Sequence, residues 1–299
     1  PLPAGRIATI AHRSQLDPLA IWHAARLLRR EKPDAILVHG RRALVLFAIA
    51  ARLIRSRAPL VQVLHRPRFK NLNACTHTIT ISDDLRQQCI HTGLHPSRVT
   101  TIPNFLLQLP APAPTRPWHQ PPVIGLLARF VPEKGIDLAI EALALLKARG
   151  ITPTLHIGGS GREEAALKTL AETQGVADQI RWLGWVENNA EFFADIDLFL
   201  LPSRAESFGL VVLEAFAAGV PIIATNTTGP SEIIRHRETG WLCDITPEAL
   251  ADALAEALQN ETNAKRWAHA ARKECALYTL EAIAPRIKQC LEQTLAAAH

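Results

Sequence analysis

Two carboxylates eight positions apart, Glu206 and Glu214, bracket the run Phe208-Gly209-Leu210. Around them, residues 197–226 read strand, loop, helix, strand. An apolar run over 197–201 ends at Pro202, a polar loop follows over 203–207, and 209–218 has helical spacing. Gly219 and Pro221 stop the helix before a strand over 222–224. The first N–H groups of a helix lack internal partners and that end carries partial positive charge, so it suits an anion, most naturally phosphate. Gly209 permits close approach to the backbone. Glu206 falls in a loop at a strand's carboxyl end, where open α/β sheets bind ligands. Glu214 lies about one and a half turns into the helix, and its carboxylate can accept from a pair of vicinal hydroxyls. A phosphate flanked by two hydroxyl-rich groups describes a nucleotide sugar. The same spacing also fits a glutamate that caps a helix and another on a solvated face.

A second set of groups follows another strand. Arg129 and Lys134 lie in a loop before a helix, so both can face the strand's carboxyl end. Two cations there suit a diphosphate, arginine as a fork and lysine as a point charge, or else they are ordinary surface cations. Residues 158–161, Gly-Gly-Ser-Gly, form a glycine-rich turn that could pass for a dinucleotide fingerprint. That site wants an acidic residue about 20 positions on, but the strand over 180–183 ends in Gly184-Trp185. The dinucleotide reading is rejected. In the first half, the strand over 59–65 ends in His65. Arg66, Arg68 and Lys70 follow at once.

These groups need elements to hold them. Strands over 6–11, 35–39, 59–65, 77–81 and 98–103 alternate with helices over 17–30, 41–55 and 83–92. Asp17-Pro18 is a cap followed by proline at the first helical position. Six of the thirteen residues 110–122 are proline, which predicts a semi-rigid linker and a domain boundary. The alternation resumes with strands over 123–128, 154–157 and 180–183 and helices over 135–149, 162–174 and 187–195. A helical turn over 230–235 and helices over 247–259 and 280–297 close the chain. Strand alternating with helix predicts two parallel, doubly wound α/β sheets. The expected domains are 1–109, linker 110–122, 123–276 and a closing helix over 277–299 that packs back on the first domain.

With 299 residues the chain can bury about two cores. Five scattered cysteines without a C-x-x-C argue against a disulfide framework or a zinc site and fit a reducing cytosol. The longest apolar run, 43–51, is far short of the ~20 residues of a membrane span. Residues 1–118 carry 17 Lys and Arg against 5 Asp and Glu, a balance of +12, whereas the rest is −7. A basic half beside an acidic half points to an anionic acceptor or a membrane surface. Nucleic acid is disfavoured, because aromatics are only 5% and none interleave a basic groove. The chain opens at Pro1 without a methionine, so sequence before Pro1 is expected.

Residues 206–214, E-S-F-G-L-V-V-L-E, with Pro202-Ser203 before and A-F-A-A-G-V-P-I-I-A-T after, resemble the glutamate-x7-glutamate signature of retaining glycosyltransferases. The likeness is closest to glycosyltransferase family 4, which has the GT-B fold of two Rossmann-like domains facing a cleft. Residues 128–135 are similar to the family's G-R-x-x-x-x-K-G block, with Ala128 in place of its glycine. Gly159 resembles the family's G-x-G turn, and Gly184 and Val186 its G-x-V turn beside the base. The turns over 228–234 and 238–242, where Glu232 reads as a helix-start or turn-fixing residue, and Ser82-Asp83 and Pro103-Asn104 match further family turns. His65 matches a family histidine near the transferred sugar and the acceptor.

The resemblance implies transfer of a sugar from a UDP- or GDP-sugar to an acceptor hydroxyl with retention of configuration. The acceptor would be a bacterial envelope glycan or glycolipid, met at the cytoplasmic face of the membrane. Glu206 and the backbone N–H groups of Phe208, Gly209 and Leu210 would hold the sugar, Glu214 the ribose, and Arg129 and Lys134 the diphosphate. No Asp-x-Asp stands out, so metal independence is expected. A nucleotide-sugar epimerase, a phosphorylase and a non-catalytic nucleotide-sugar-binding protein fit the same residues. The family's glycine-rich loop after its first strand has no counterpart before Arg6.

Overall fold

A computed structural model describes residues 8–11, 14, 16–109 and 117–298. They form two compact units, one of residues up to Pro103 together with Ala284 onward, the other Asn104–Ile283. The first unit runs α1 (Pro18–Glu31), β1 (Ile36–His39), α2 (Arg41–Leu53), β2 (Leu60–Leu64), β3 (His77–Thr80), α3 (Asp83–His91) and β4 (Val99–Thr101). Its four strands pair in sequence order and all in parallel. Asp17 caps α1 as expected, accepting from Leu19 and Ala20 N–H. Ala20, Ala24 and Leu28 of that helix pack with Leu44 and Ala50 of α2 and Ile36 of β1.

The second unit runs β5 (Val123–Leu127), α4 (Ile136–Ala148), β6 (Thr154–Gly158), α5 (Glu164–Thr173), β7 (Ile180–Gly184), α6 (Asn189–Ala194) and β8 (Leu198–Leu201). It continues with α7 (Leu210–Ala218), β9 (Ile222–Thr225), α8 (Thr228–Ile233), β10 (Trp241–Cys243), α9 (Pro247–Gln259) and α10 (Glu261–Glu274), and α11 (Leu280–Ala298) follows. The six strands lie in the order β10-β9-β8-β5-β6-β7, again all parallel. From β5 the chain builds outwards through β6 and β7, then returns to place β8 on the other side of β5. The strand order therefore reverses between β5 and β8, the position at which open α/β sheets bind ligands. Every residue of β8 and β9 is buried, the apolar run typical of strands covered on both faces.

Several expectations change. The strand over 6–11 falls mostly outside the described residues, and 8–11 are not in a strand. Much of the proline-rich linker, 110–116, also lies outside them. The unit boundary falls at Pro103/Asn104 rather than at 109. The reason is that Leu106 N–H donates to Tyr278 carbonyl oxygen at 2.8 Å and Leu280 N–H to Leu106 carbonyl oxygen at 3.1 Å, tying this segment to the start of α11. From Ala284 the closing helix groups with the first unit, where Arg286 donates to the Thr101 carbonyl at 3.1 Å. Helix α10 and strand β10 were not foreseen. Helix α10 buries Ala264, Trp267, Ala268 and Ala271 at helical spacing, but the intervening polar residues hide the stripe. Strand β10 has only three residues. Helix α8 starts at Thr228, so Glu232 sits near its end rather than at a helix start. Among the described residues no helix is long and apolar enough to cross a membrane.

Candidate functional site

The loops after β5 and β8 flank the reversal point and are fastened to each other. Gly135 has φ +62°, and a Cβ there would run into the Pro202 carbonyl oxygen, so glycine allows the two backbones to touch. Arg204 N–H donates to the Glu133 carbonyl oxygen at 2.9 Å. The Arg204 guanidinium forms a two-pronged pair with Asp137 at 2.7 and 2.6 Å and also donates to the Pro132 carbonyl at 3.1 Å. Burial opposes ionisation of Asp137, but the Arg204 bonds outweigh it and its pKa is lowered.

This fastening brings Lys134 and Glu206 together. Lys134 Nζ donates to Glu206 Oε2 at 2.5 Å, although 72 residues separate them. Both side chains are about four-fifths covered, at 20% and 16% exposure, so the pair feels less water screening than a surface bridge. The Glu206 carboxylate is thus turned to the lysine, not used as a helix cap. Helix α7 begins after Gly209, in the left-handed region at φ +83°, with no side-chain cap. Its first N–H groups remain available to a ligand. Gly229 N–H donates to the Glu206 carbonyl oxygen at 2.8 Å, and a Cβ on Gly229 would collide with the Phe208 backbone. Phe208 is buried with its ring edge against Tyr278, while the Leu210 side chain is exposed.

Arg129 lies exposed in the loop after β5. That loop is laid along the glycine turn after β6: Ala128 N–H donates to Gly158 carbonyl oxygen at 3.1 Å, and Phe130 N–H to Ser160 at 2.9 Å. Gly159, at φ +128°, leaves no room for a Cβ against the Ala128 carbonyl. Its N–H donates to Gly184 at 2.6 Å, and Val186 packs where a side chain on Gly158 would lie. The turns after β5, β6 and β7 thus form one hydrogen-bonded rim.

Glu214, in the second turn of α7, accepts from Asn189 Nδ2 at 2.9 Å. Burial raises its pKa, partly offset by that bond. A carboxylate held in cover with one oxygen already bonded is suited to accept from hydroxyls. Sequence reasoning missed Asn189, Arg204 and His39. Asn188-Asn189 carries only the signal of a helix start, and Arg204 is a lone charge in a polar loop. His39 ends β1, and His39 Nδ1 lies 3.0 Å from His65 Nε2 in the first unit, the rings stacked at 5.3 Å. Arg66, Arg68 and Lys70 beside it are exposed. On the same sheet's rim, Ser82 caps α3 by accepting from Leu85 N–H at 3.3 Å.

The glycosyl transferases group 1 family model matches residues 113–274, and the glycosyltransferase family 4 model matches 3–106. The lipopolysaccharide core biosynthesis glycosyltransferase LpsE of Rhizobium meliloti is 30% identical over 267 residues, 85% of this chain and 73% of its own. A GDP-mannose-dependent phosphatidylinositol monomannoside mannosyltransferase of Mycobacterium tuberculosis is 36% identical over 162 residues, 51% of this chain; the chain spans only 42% of it. HepE of Anabaena, solved in complex with UDP, superposes with a TM-score of 0.79 at 22% identity, covering 93% of this chain and 83% of HepE. A glycosyltransferase of Rickettsia africae gives 0.82 at 18% identity, covering 97% and 84%. The solved structures define the fold, GT-B, and the family models with LpsE define the class, a glycosyltransferase. The chain belongs to the glycosyl transferases group 1 family, in glycosyltransferase family 4.

Proposed function

We propose that this glycosyltransferase takes a sugar from a nucleotide-diphosphate donor and transfers it, with retention, to a hydroxyl of an envelope glycan or glycolipid. The observation that carries the reading is the Lys134–Glu206 pair at the β5/β8 reversal, beside the uncapped start of α7. Lys134, Arg129 and the helix start act on the diphosphate, where negative charge grows as the sugar leaves. Preorganised donors aimed at developing charge are the large term in such catalysis. Glu206 and the backbone at Phe208, Gly209 and Leu210 hold the sugar hydroxyls, and Glu214, steadied by Asn189, holds the ribose. The two cations take the part that a divalent metal plays elsewhere, so turnover persists in a chelator.

His65 serves the sugar or acceptor from the first unit. The neighbours support a uridine donor, since HepE was solved with UDP and glucose and with UDP-glucose, while the mycobacterial relative is named for GDP-mannose. The name of LpsE supports lipopolysaccharide core as the acceptor class. The +12 balance of residues 1–118 supports an anionic acceptor met at the inner face of the membrane, with peripheral contact through the first unit.

A thermal-shift screen of UDP-, GDP- and ADP-sugars tests the reading. A donor at about 100 times its Kd adds ~2.7 kcal/mol to stability, and the same shift should vanish in Lys134→Ala. A panel in which no nucleotide sugar shifts the transition would overturn it. Anomeric analysis of the product by NMR tests retention, and product analysis without acceptor separates transfer from epimerisation.

A further inference from the structure

Beyond the donor site, two imidazoles meet at the carboxyl ends of neighbouring strands. His39 is the last residue of β1, and His65 follows β2 directly. Their backbones are adjacent because β1 and β2 pair in parallel, with His39 in register with Val63. His39 Nδ1 and His65 Nε2 stand 3.0 Å apart, and the ring planes are inclined by only 20°. Nearby, Arg41 Nε donates to Asn71 Oδ1 at 3.2 Å, fixing the start of α2 against the segment after His65.

At that separation the two nitrogens share one proton. If both carried one, two N–H groups would face each other and two cations would abut. If neither did, two lone pairs would face each other. One ring donates and the other accepts, so the tautomers are linked. Because Nε2 of His65 is engaged, only its Nδ1 is left for a ligand.

We infer that His39 is a positioning residue of this glycosyltransferase, holding the His65 ring in one orientation and one protonation state with Nδ1 presented at the rim. The inference rests on the reading that His65 serves the transfer. His65 is exposed at the rim. Burial, then the neighbouring His39, hold its pKa below the usual histidine range. The other charged groups on the surrounding segments are Arg41, Arg42, Arg66, Arg68, Lys70, Asp83 and Asp84. Arg41 is engaged by Asn71 and Asp83 accepts from Thr101, while His39 is the neighbouring titratable group that lowers the His65 pKa. His65 therefore stays neutral to lower pH than a lone imidazole.

Ring-nitrogen NMR of the unliganded protein tests this in wild type, His39→Ala and His39→Asn. Asparagine places an amide nitrogen near the position of Nδ1, so it can still donate to His65 but cannot take up a proton. In wild type, one tautomer of His65 should dominate. In His39→Ala, the His65 midpoint should rise towards the ordinary histidine value and its tautomers should mix. His39→Asn should restore the single tautomer. Hydrolysis of UDP-glucose or GDP-mannose, whichever wild type turns over, should fall about tenfold in kcat with unchanged KM in His39→Ala. Its acid limb should move to higher pH, and His39→Asn should recover most of the rate. An unchanged His65 titration in His39→Ala would overturn the inference. Full hydrolysis by His65→Ala would remove the underlying reading instead, leaving the imidazole pair in place.

Discussion

The carboxyl rims of the two sheets are built differently. In the second unit the rim is made by backbone: Gly135 rests against Pro202, Gly159 against Ala128, Gly229 against Phe208. Charged side chains are then set on loops that cannot move apart. In the first unit, side chains meet at and just beyond the strand ends, His39 with His65 and Arg41 of α2 with Asn71. A glycine-built rim leaves a trace in the sequence, because only one residue type fits. A rim built on pairs leaves little, since each partner is an ordinary residue at a strand end.

Substitutions can break or sharpen that contrast, starting with the largest effect. On the proposed role, Lys134→Ala or Arg129→Ala would remove a charged hydrogen bond to the diphosphate worth about 1.5–3 kcal/mol, so turnover should fall about 10- to 100-fold. Wild-type rates in both would leave the diphosphate without its partners. Next, Gly135→Ala must push against the Pro202 carbonyl at a left-handed φ. A cost of about 2 kcal/mol lowers Tm by roughly 4–8 °C for a unit of this size. Gly184→Ala, at φ +65° with open space around it, should cost only about 1 kcal/mol of backbone strain. Equal Tm losses would mean that contact between the loops is unimportant.

Glu214→Ala should weaken UDP binding about tenfold by calorimetry, the scale of one charged hydrogen bond; unchanged affinity would dismiss the ribose role. Glu206→Gln frees Lys134 from its pair. It should abolish sugar transfer yet bind UDP at least as tightly as wild type, and a loss of UDP affinity would place Glu206 on the nucleotide instead. The smallest effect is on stability. Burial raises the Glu214 pKa in the folded chain, so its favourable contribution is present at low pH and is lost as pH rises through that raised pKa. Glu214→Gln should therefore raise Tm at neutral pH by about 1–2 °C, and the gain should disappear below the ordinary carboxylate range.

Much of this was legible from residue order alone. Asp17-Pro18 announced α1, and the alternation of apolar strands with helices announced both parallel sheets. The glycines marked tight turns because a side chain has nowhere to go. What hid was whatever depends on a partner far along the chain. Arg204 looks like a loop charge until it grips Asp137, 67 residues away. Asn189 looks like a helix start until it reaches Glu214. Helix α10 hid its apolar stripe among polar neighbours, and the start of the second unit at Asn104 depended on Leu106 meeting Tyr278.

The sequence by itself determined the elements and the chemical kinds available: period, turn residues and the carboxylates, cations and imidazoles at strand ends. These are local properties, set by φ/ψ and by which face each side chain takes. Only the tertiary structure decided that β8 lies beside β5, so that Lys134 and Glu206 meet, and that β1 lies beside β2, so that His39 and His65 share a proton. Strand order is settled by how whole sheets bury their faces, and no short stretch of chain carries that information.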